Sequence, residues 1–384
     1  MASLKYWLWL KMREHLTPAK TFLLLERFGE PDDIFLRGRE DYETIQGLPE
    51  AAIESLCDKS LDEAERVLEE CAKQEITVIS MQDANYPERL RQIYHPPILL
   101  FARGHLPDID DEVAIAFVGT RKCSAYGIRV TDQIAAEIAA AGGLIVSGMA
   151  LGIDAAAHSA ALREGAKTVA VLGCGVDICY PRQNRRLMHE IIENGAVISE
   201  YIPGTAPDRQ NFPARNRILS GISLGVLVAE APERSGALIT ATLASEQGRD
   251  VFAIPGDISN LCSRGANRLI ADGAKLVLSG EDVLNEYRNE FARKIRTPDP
   301  IARRVAAQHR MEEQSSALEA MLSRYRPEEQ SVLRAIGTEC RHVDEIIAES
   351  GVPAPYVLSL LTVLEISGVV EQSAGKHFKL IMKA

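Results

Sequence analysis

The segment VAIAFVGTR, residues 113–121, sets the pattern of the central part of the chain: six apolar residues are followed by a glycine, a hydroxyl and an arginine. A short apolar run without polar alternation is typical of a strand that is buried on both faces of a parallel sheet. Similar runs follow along the chain, and amphipathic helical stretches lie between most of them. This alternation predicts an α/β fold with an extended, Rossmann-like, doubly wound parallel sheet. The further predicted strands are 144–147, 168–172, 196–199, 225–229, 251–254 and 275–278.

The residues before and after this core predict smaller domains. The Gly47-Leu48-Pro49 turn, between two helical patterns, resembles a helix-hairpin-helix module, although an ordinary helix–helix turn uses the same residue types. We therefore expect a small helical domain of the SAM or helix-hairpin-helix type over 1–80, the Rossmann-like core over 81–290, and a linker or connector over 291–325. Residues 326–384 predict two helices and a hairpin around Gly375-Lys376, the order of a winged helix domain. Its sequence leaves open whether that domain contacts DNA or protein.

The formal net charge of −11 is unevenly distributed along the 384 residues. Residues 1–112 carry 13 Lys+Arg against 23 Asp+Glu, whereas residues 113–282 carry 16 against 17. A nearly neutral centre can hold a basic groove, so the acidic total does not exclude a nucleic acid as partner. The 7 cysteines include no Cys-x-x-Cys pair, so no metal site is indicated. Neither a secretory pattern nor an apolar run of membrane-spanning length occurs, and we expect a cytoplasmic protein without membrane contact.

The stretch RQNFPARNR, residues 209–217, combines three arginines, two asparagines and an aromatic residue, and no Asp or Glu follows it before Glu230. Guanidinium groups suit phosphate oxygens, and an aromatic plane stacks on a base. We therefore interpret the stretch as a loop that binds a phosphate-bearing ligand. Phe212 and Asn216 either grip a base or hold the arginines in place. The candidate contact residues are Arg209, Phe212, Arg215, Asn216 and Arg217.

Further candidates lie where the predicted strands end. Ligands of open α/β sheets bind at the carboxyl ends of the strands, so glycines and basic residues at those positions predict a phosphate cradle. Several such positions along one edge predict an extended binding site for a polymer that carries phosphates. The residues are Gly119, Thr120 and Arg121 after the first strand, Ser147 and Gly148 after the second, Arg182 and Arg185 after the third, and Ser235 and Gly236 at a helix start.

An enzyme that processes nucleotides or nucleosides is the alternative on the same fold. Asp154 and His158 stand four residues apart at a predicted helix start, although Asp154 also fits a helix N-cap. Glu200 and Glu230 end two strands and are either a carboxylate pair or partners that orient the arginines of 209–217. Neither Gly-x-Gly-x-x-Gly nor Gly-x-x-x-x-Gly-Lys follows the first strand, so no nucleotide cofactor is expected.

The motifs of the central part, taken in order, resemble those of the DNA-processing protein A family (DprA/Smf). The resemblance covers about 105–285 of this sequence. The matching segments are VGTR (118–121), VSGMALGIDAAAH (146–158), YPR (180–182), SEY (199–201), FPARNR (212–217), EA (230–231), SGALIT (235–240), GRDVFAIPG (248–256) and LIADGA (269–274).

This resemblance implies a function. It implies a protein that is not an enzyme and needs no cofactor. Such a protein binds incoming single-stranded DNA without sequence preference in natural transformation and DNA recombination. It also protects that DNA and loads the RecA recombinase. Arg121, Arg182, Arg209 and the run 215–217 are similar to the family's DNA-contacting positions. Family members form homodimers through the Rossmann core and use an apolar surface there for RecA. Ile270 and Leu276 are the counterparts expected here, although a core helix and a last strand explain these apolar residues almost as well.

Overall fold

The computed structural model describes residues 3–296, 319, 321–323, 325–337, 341–373 and 376–380. The chain divides into two compact units, Met1–Thr297 and Pro298–Ala384. Most of the predicted linker over 291–325 lies outside the described residues, and so does Gly375 of the predicted hairpin turn.

A 9-stranded sheet forms the centre of the first unit. Its strands are β1 (Ile76–Ser80), β2 (Leu99–Gly104), β3 (Ala114–Val118), β4 (Leu144–Ser147), β5 (Thr168–Val171), β6 (Gly195–Ser199), β7 (Gly225–Val228), β8 (Asp250–Ala253) and β9 (Lys275–Leu276). They lie in the order β1-β2-β6-β5-β4-β3-β7-β8-β9, and every neighbouring pair from β6 to β9 is parallel. The predicted doubly wound parallel sheet is confirmed.

One edge of the sheet is antiparallel, which the apolar runs did not predict. β2 pairs antiparallel with β6, and β1 pairs antiparallel with β2. β2 is absent from the predicted strands, although the apolar run ILLFA, residues 98–102, is the same kind of signal as the others. The alternation of helix and strand favours parallel pairing where an amphipathic helix of several turns connects two strands, whereas only a four-residue helix, Glu88–Arg91, lies between β1 and β2.

Helices cover both faces of the sheet because successive residues of a strand point to opposite faces. On β3, Ala116 belongs to a buried cluster with residues of α7 (Glu88–Arg91), α11 (Asn211–Gly221), α12 (Gly236–Glu246) and α13 (Arg264–Ala271). Phe117 belongs to a buried cluster with residues of α8 (Ala125–Ala140), α9 (Ile153–Arg163) and α14 (Gly280–Tyr287). The winding direction reverses between β3 and β7, which places a crevice at the carboxyl ends of those two strands.

Six helices precede the sheet and share a core with it. Trp7 and Trp9 are buried in one cluster with Phe101 of β2 and Val197 of β6, and α10 (Arg185–Asn194) contributes Ile191. The helical part therefore packs on the sheet, and β1 lies inside the range predicted for the helical domain. The domain boundaries at 80 and 290 stay predictions. The six helices are α1 (Leu4–Lys11), α2 (Pro18–Phe28), α3 (Pro31–Leu36), α4 (Arg39–Glu43), α5 (Glu50–Cys57) and α6 (Asp62–Lys73).

The second unit has the predicted winged helix order. Its elements are α15 (Pro327–Ile336), β10 (Arg341–His342), α16 (Val343–Ser350), α17 (Ala354–Ile366), β11 (Val370–Ser373) and β12 (His377–Leu380). The strands pair antiparallel in the order β10-β12-β11. Ile346, Leu361 and Phe378 are buried in its core, and Gly351 ends α16 with a φ of 65°.

No single helix among the described residues has both the length and the apolar composition to cross a membrane. One pair, α16 and α17, meets that test together by length and composition alone, and it is bent by 117°.

Gly104 is expected to resist replacement by alanine. It ends β2 with a φ of +93°, and a Cβ added there would lie 2.5 Å from the carbonyl oxygen of Gly195 and 2.6 Å from that of Ile192. Because both clashing atoms are backbone, Gly104→Ala should lower the free energy of unfolding by about 3 kcal/mol, through backbone strain together with overpacking. Urea unfolding followed by tryptophan fluorescence measures the change.

Gly165→Ala is the matched control. Gly165 has a φ of +67°, but an added Cβ would have nothing within 4 Å, so only the strain of about 1 kcal/mol is expected. The chain has 2 tryptophans, Trp7 and Trp9, and both are buried in the same unit, so the fluorescence follows that unit. Equal losses in the two variants would contradict the close contact between β2, α10 and β6.

Candidate functional site

A cavity of about 730 Å³ opens at the carboxyl edge of the sheet. Its walls come from the segments after β3 and β4, from residues 180–183 and from α11. Three of its described lining residues are arginines and none is Asp or Glu. It lies at the edge that the strand-end rule predicts. The lining residues are Arg121, Gly148, Ala150, Leu151, Tyr180, Pro181, Arg182, Gln183, Phe212 and Arg215.

Arg215 is the buried arginine of this cavity. Its side chain is 5% exposed and donates to the carbonyl oxygen of Val171, at the end of β5. Gly148 leaves the space for it, because a Cβ on Gly148 would lie 2.4 Å from Nη2 of Arg215. The glycine at 148 thus accommodates the protein's own guanidinium group.

The predicted loop over 209–217 is wrong for most of its length, because α11 begins at Asn211. Pro213 is the third residue of the helix, where a missing N–H has no partner in the helix to lose. The polar and basic residues are compatible with this first turn. The helix holds Phe212 and Arg215 beside each other on the cavity side.

The charge of Arg215 has no close counter-ion. Among the described residues no carboxylate oxygen lies within 4.0 Å of its guanidinium group, and its Nε has no hydrogen-bond partner. Burial lowers the pKa of Arg215, and Asp154 opposes that shift only through a longer-range charge interaction. Burial also raises the pKa of Asp154, although Arg215 and the backbone amides of Ala150 and Gly148 partly counter it. A desolvated guanidinium without a close counter-ion lines the cavity, which is an arrangement that favours an anion.

Two aromatic rings form one wall of the cavity. The ring centroids of Tyr180 and Phe212 are 5.4 Å apart with an interplanar angle of 32°. The guanidinium carbon of Arg121 lies 5.4 Å from the Phe212 centroid. A Cβ on Gly173 would lie 2.9 Å from Cδ1 of Phe212, so this glycine lets the ring sit against the end of β5. The wall offers ring faces and guanidinium planes side by side, which suits a planar base.

A second cavity of about 400 Å³ lies at the crevice between β3 and β7. It shares Arg121, Phe212 and Arg215 with the first cavity, so the two adjoin. The N-terminus of α12 opens into it, where Ser235 accepts a hydrogen bond from the Ala237 amide at 3.3 Å. A helix N-terminus attracts anions, and the further described lining residues Lys122 and Arg234 add positive charge.

The loop after β4 is held in a strained conformation. Met149 is fully buried with a φ of 57°, a region that a bulky residue rarely adopts. Asn184 fixes it by donating Nδ2 to the Met149 carbonyl at 2.8 Å. The predicted N-cap role of Asp154 is wrong: Gly152 is the N-cap of α9, and Asp154 accepts from the Ala150 amide at 3.3 Å instead.

Arg217 lines neither of the two cavities and pairs with Glu200 instead. Its two terminal nitrogens donate to the two carboxylate oxygens of Glu200 at 2.7 and 2.8 Å, and Nζ of Lys11 lies 3.8 Å from the same carboxylate. Burial alone would raise the pKa of Glu200, but the hydrogen bonds from Arg217 and the charge of Lys11 outweigh it and lower that pKa. This bidentate pair ties α11 to the end of β6.

Glu230 serves another loop. It is buried and accepts from the Ser124 amide and the Ser124 hydroxyl, both at 2.8 Å. Because β5, β4 and β3 separate β6 from β7, the ends that carry Glu200 and Glu230 lie about 19 Å apart at the usual strand spacing. The carboxylate-pair interpretation is therefore wrong, and the orienting role is correct for Glu200 with Arg217.

The structure brings together most of the predicted contact residues. Gly119, Thr120, Asn216, Ser235 and Gly236 line the second cavity, and Arg182 and Gly148 line the first. Ser147, Arg185, Arg209 and Arg217 line neither; Ser147 is buried and donates to the Phe117 carbonyl at 2.7 Å. Tyr180 and Arg234 were missed, although an aromatic residue two positions before Arg182 and an arginine before a helix start were readable signals. No cluster of potential metal ligands occurs in the part of the chain that the structure describes.

His158 lies buried in α9. Its Nδ1 is 2.7 Å from the Thr168 hydroxyl, which itself donates to the Ile145 carbonyl at 2.7 Å. The hydroxyl has one proton to give, so Nδ1 of His158 is the donor and its Nε2 is left without a partner among the described residues. Burial, reinforced by the charge of Arg215, lowers the pKa of His158 to about 3. The imidazole is therefore neutral and structural.

Comparison with known proteins agrees with this architecture. Residues 77–288 match the family model for DNA recombination-mediator protein A, and residues 315–376 match the model for the DprA winged helix domain. The DNA processing protein DprA of Streptococcus pneumoniae is 49% identical over 214 residues, which is 56% of this chain and 75% of that protein. Protein Smf of Synechocystis is 34% identical over 334 residues, 81% of this chain and 82% of that protein.

Two solved structures are also similar. The crystal structure of DprA from Streptococcus pneumoniae superposes with a TM-score of 0.66 at 40% identity, covering 74% of this chain and 99% of that one. The structure that describes the single-stranded DNA binding mode of DNA processing protein A from Helicobacter pylori superposes with a TM-score of 0.51 at 29% identity, covering 56% of this chain and 97% of that one.

The neutral state of His158 makes stability sensitive to acid. The unfolded chain protonates this histidine near pH 6.5, whereas the folded chain does so only near pH 3, so its stabilising contribution is present above pH 6.5 and is lost as the pH falls. The free energy of unfolding of the wild type should therefore fall by about 2 kcal/mol more than that of His158→Asn between about pH 7 and pH 5. Asn retains a donor toward Thr168. Urea unfolding at both pH values measures the difference, and equal losses would mean that His158 is not a buried neutral group.

Proposed function

Because this chain belongs to the DNA recombination-mediator protein A family, we propose that it binds single-stranded DNA without sequence preference and delivers the RecA recombinase to it. In a transformable host this activity would protect incoming DNA and act in natural transformation, in the cytoplasm. The proposal assigns a binding role, not catalysis.

The observation that carries the proposal is the buried guanidinium group of Arg215, without a close counter-ion, in a cavity that no described acidic residue lines. An uncompensated buried charge is unfavourable in the free protein, and a phosphate oxygen relieves it. Arg121 stands at the junction of both cavities and supplies a second, exposed cation. The phosphate backbone would therefore pass between Arg121, Arg215 and the N-terminus of α12.

Binding without sequence preference follows from the chemistry of the cavity wall. Tyr180 and Phe212 present ring faces, and every base has a face that can stack on them. The cations near them recognise phosphates, which carry no sequence information. The single-stranded DNA binding mode described for the Helicobacter pylori relative supports the same choice of ligand.

Nucleotide processing, the alternative from the sequence, has little support. Glu200 is engaged by Arg217, Glu230 by Ser124, and His158 is neutral beneath the sheet edge. Each of these groups has a structural partner that accounts for it. A site in which Glu200, Glu230 and His158 have these structural roles fits a mediator better than an enzyme.

Homodimerisation and RecA contact are proposed for the β9 edge. β9 is the last strand of the sheet and is only two residues long, and Leu276 on it is 47% exposed. Ile270 of α13 packs partly buried against the core beside it. An edge strand with an exposed leucine is an open pairing surface.

Arg121→Glu tests the DNA site. It should weaken binding of a dT oligomer at least tenfold and reduce the salt slope of log K by about 0.7 for each phosphate that the protein no longer neutralises. Fluorescence anisotropy between low and physiological salt measures both. Arg66→Glu, the same charge change on exposed α6, is the matched control and should bind like the wild type.

Arg217→Met is a second test of the DNA site, because the structure pairs Arg217 with Glu200 and not with the cavities. It should lower the free energy of unfolding by about 3 kcal/mol by leaving a buried carboxylate, yet keep binding within about threefold while the protein is folded. Loss of binding in folded Arg217→Met together with wild-type binding by Arg121→Glu would relocate the DNA site.

Leu276→Glu tests the proposed dimer surface. A carboxylate at this edge should convert a dimer into a monomer by light scattering and reduce RecA filament formation on single-stranded DNA, while binding of the dT oligomer is retained, because the cavity is untouched. Leu36→Glu, at a leucine of α3 that is 79% exposed, is the control. An unchanged mass for Leu276→Glu would remove β9 from the interface.

A further inference from the structure

The second helix of the helix-turn-helix in the winged helix unit has an unusual composition for a DNA reader. In DNA-binding members of this architecture that helix enters the major groove, and cations on and around it hold the phosphates. Here the helix is α17, and the whole of residues 343–366 contains no Lys or Arg. The same residues contain four carboxylates, Asp344, Glu345, Glu349 and Glu365.

The face of α17 that points away from the core is apolar. Val357, Leu361 and Leu364 are buried on the core side. On the other side Ile366 is 84% exposed and Val363 is 60% exposed, and the exposed large side chains of Leu358 and Tyr356 flank them. A group of exposed apolar side chains on one helix face marks an interaction surface rather than a solvated one.

The hydroxyls on this face do not offer free donors. Ser359 Oγ donates to the Pro355 carbonyl at 2.7 Å, and Thr362 Oγ1 donates to the Leu358 carbonyl at 3.0 Å. Both protons are thus used within the helix. These two residues therefore have no hydroxyl proton left to donate to a base edge, and Thr362 presents its methyl group to a partner.

Two of the five Lys and Arg residues in the described part of this unit are engaged in ion pairs. Arg341 pairs with Glu349, and Arg334 pairs with Glu319. Lys376 and Lys379 lie at the wing formed by β11 and β12. The helix-turn-helix itself is therefore acidic around an apolar stripe, which repels phosphate and complements a basic apolar surface.

We propose that the exposed face of α17 docks a basic amphipathic helix of a partner protein. The apolar stripe of that partner helix would pack on Val363, Ile366 and Leu358, and Lys or Arg side chains beside the stripe would face Glu365, on the same helix. This inference concerns the second unit alone. It does not depend on the DNA cavity or on RecA.

A pair of synthetic helical peptides tests this on the full chain. Each has about 14 residues with leucines at helical spacing, flanked by lysines in one peptide and by glutamates in the other. The lysine peptide should bind the wild type by fluorescence anisotropy, and the glutamate peptide should bind at least tenfold more weakly. The double variant Val363→Ser/Ile366→Ser should lose the lysine peptide by at least tenfold. Both side chains are exposed, so circular dichroism should show an unchanged fold.

Leu36→Ser is the matched control, since it removes an equally exposed leucine from α3 in the other unit. It should bind the lysine peptide like the wild type. Equal binding by the double variant and the wild type, or no binding by the wild type, overturns the proposal. The proposal is also overturned if the wild type binds a duplex DNA oligomer and either double variant, Val363→Ser/Ile366→Ser or Lys376→Glu/Lys379→Glu, abolishes that binding. The unit would then be a DNA reader.

Discussion

The candidate site depends on the burial of one guanidinium group, that of Arg215, and no carboxylate of the described residues lies within 4.0 Å of it. The Val171 carbonyl takes one of its N–H groups, and Gly148 is a glycine because the guanidinium occupies the volume of a Cβ. Asp154 opposes the effect of burial through a charge interaction, but burial disfavours the ionised form of that carboxyl. The fold thus holds a buried positive charge that the protein itself neutralises only weakly. An anionic ligand that supplies the missing negative charge is therefore favoured.

A second constraint decides which arginines remain available. Arg215 and Arg217 are two residues apart on α11, and in an α-helix that spacing turns the side chains about 200° from each other. One therefore enters the cavity, while the other meets Glu200 and, through it, Lys11 of α1. The buried Arg217–Glu200 pair anchors the helix that carries Phe212 and Arg215. The N-terminal helices thus contact α11 through one shared carboxylate.

The sheet could be predicted from the sequence because each parallel strand is an apolar run between amphipathic helices, as in VAIAFV. β2 has a similar run but pairs antiparallel, because no local sequence pattern determines which strand it pairs with or in which direction. The first turn of α11 was misjudged because Arg, Asn and Pro also dominate loops, and Pro213 is tolerated only by its place in that turn. With the helix unrecognised, periodicity could not separate Arg215 from Arg217. The place of Tyr180 two residues before Arg182 was a local signal, but its contact with Phe212 joins residues 32 apart in the chain, which no local pattern shows.

The acidity of the chain is consistent with a DNA-binding core once its distribution is considered. Residues 1–112 carry 13 Lys+Arg against 23 Asp+Glu, and the helix-turn-helix of the second unit is acidic as well. Both regions repel a polyanion over distances of about a Debye length, ~8 Å at physiological salt. The cations of the cavity are close to one another and partly desolvated, so they act on a phosphate at short range, where screening is weak. On the proposed function, the acidic residues of 1–112 disfavour binding of a strand to that part of the first unit, and the acidic helix-turn-helix is free for a protein partner.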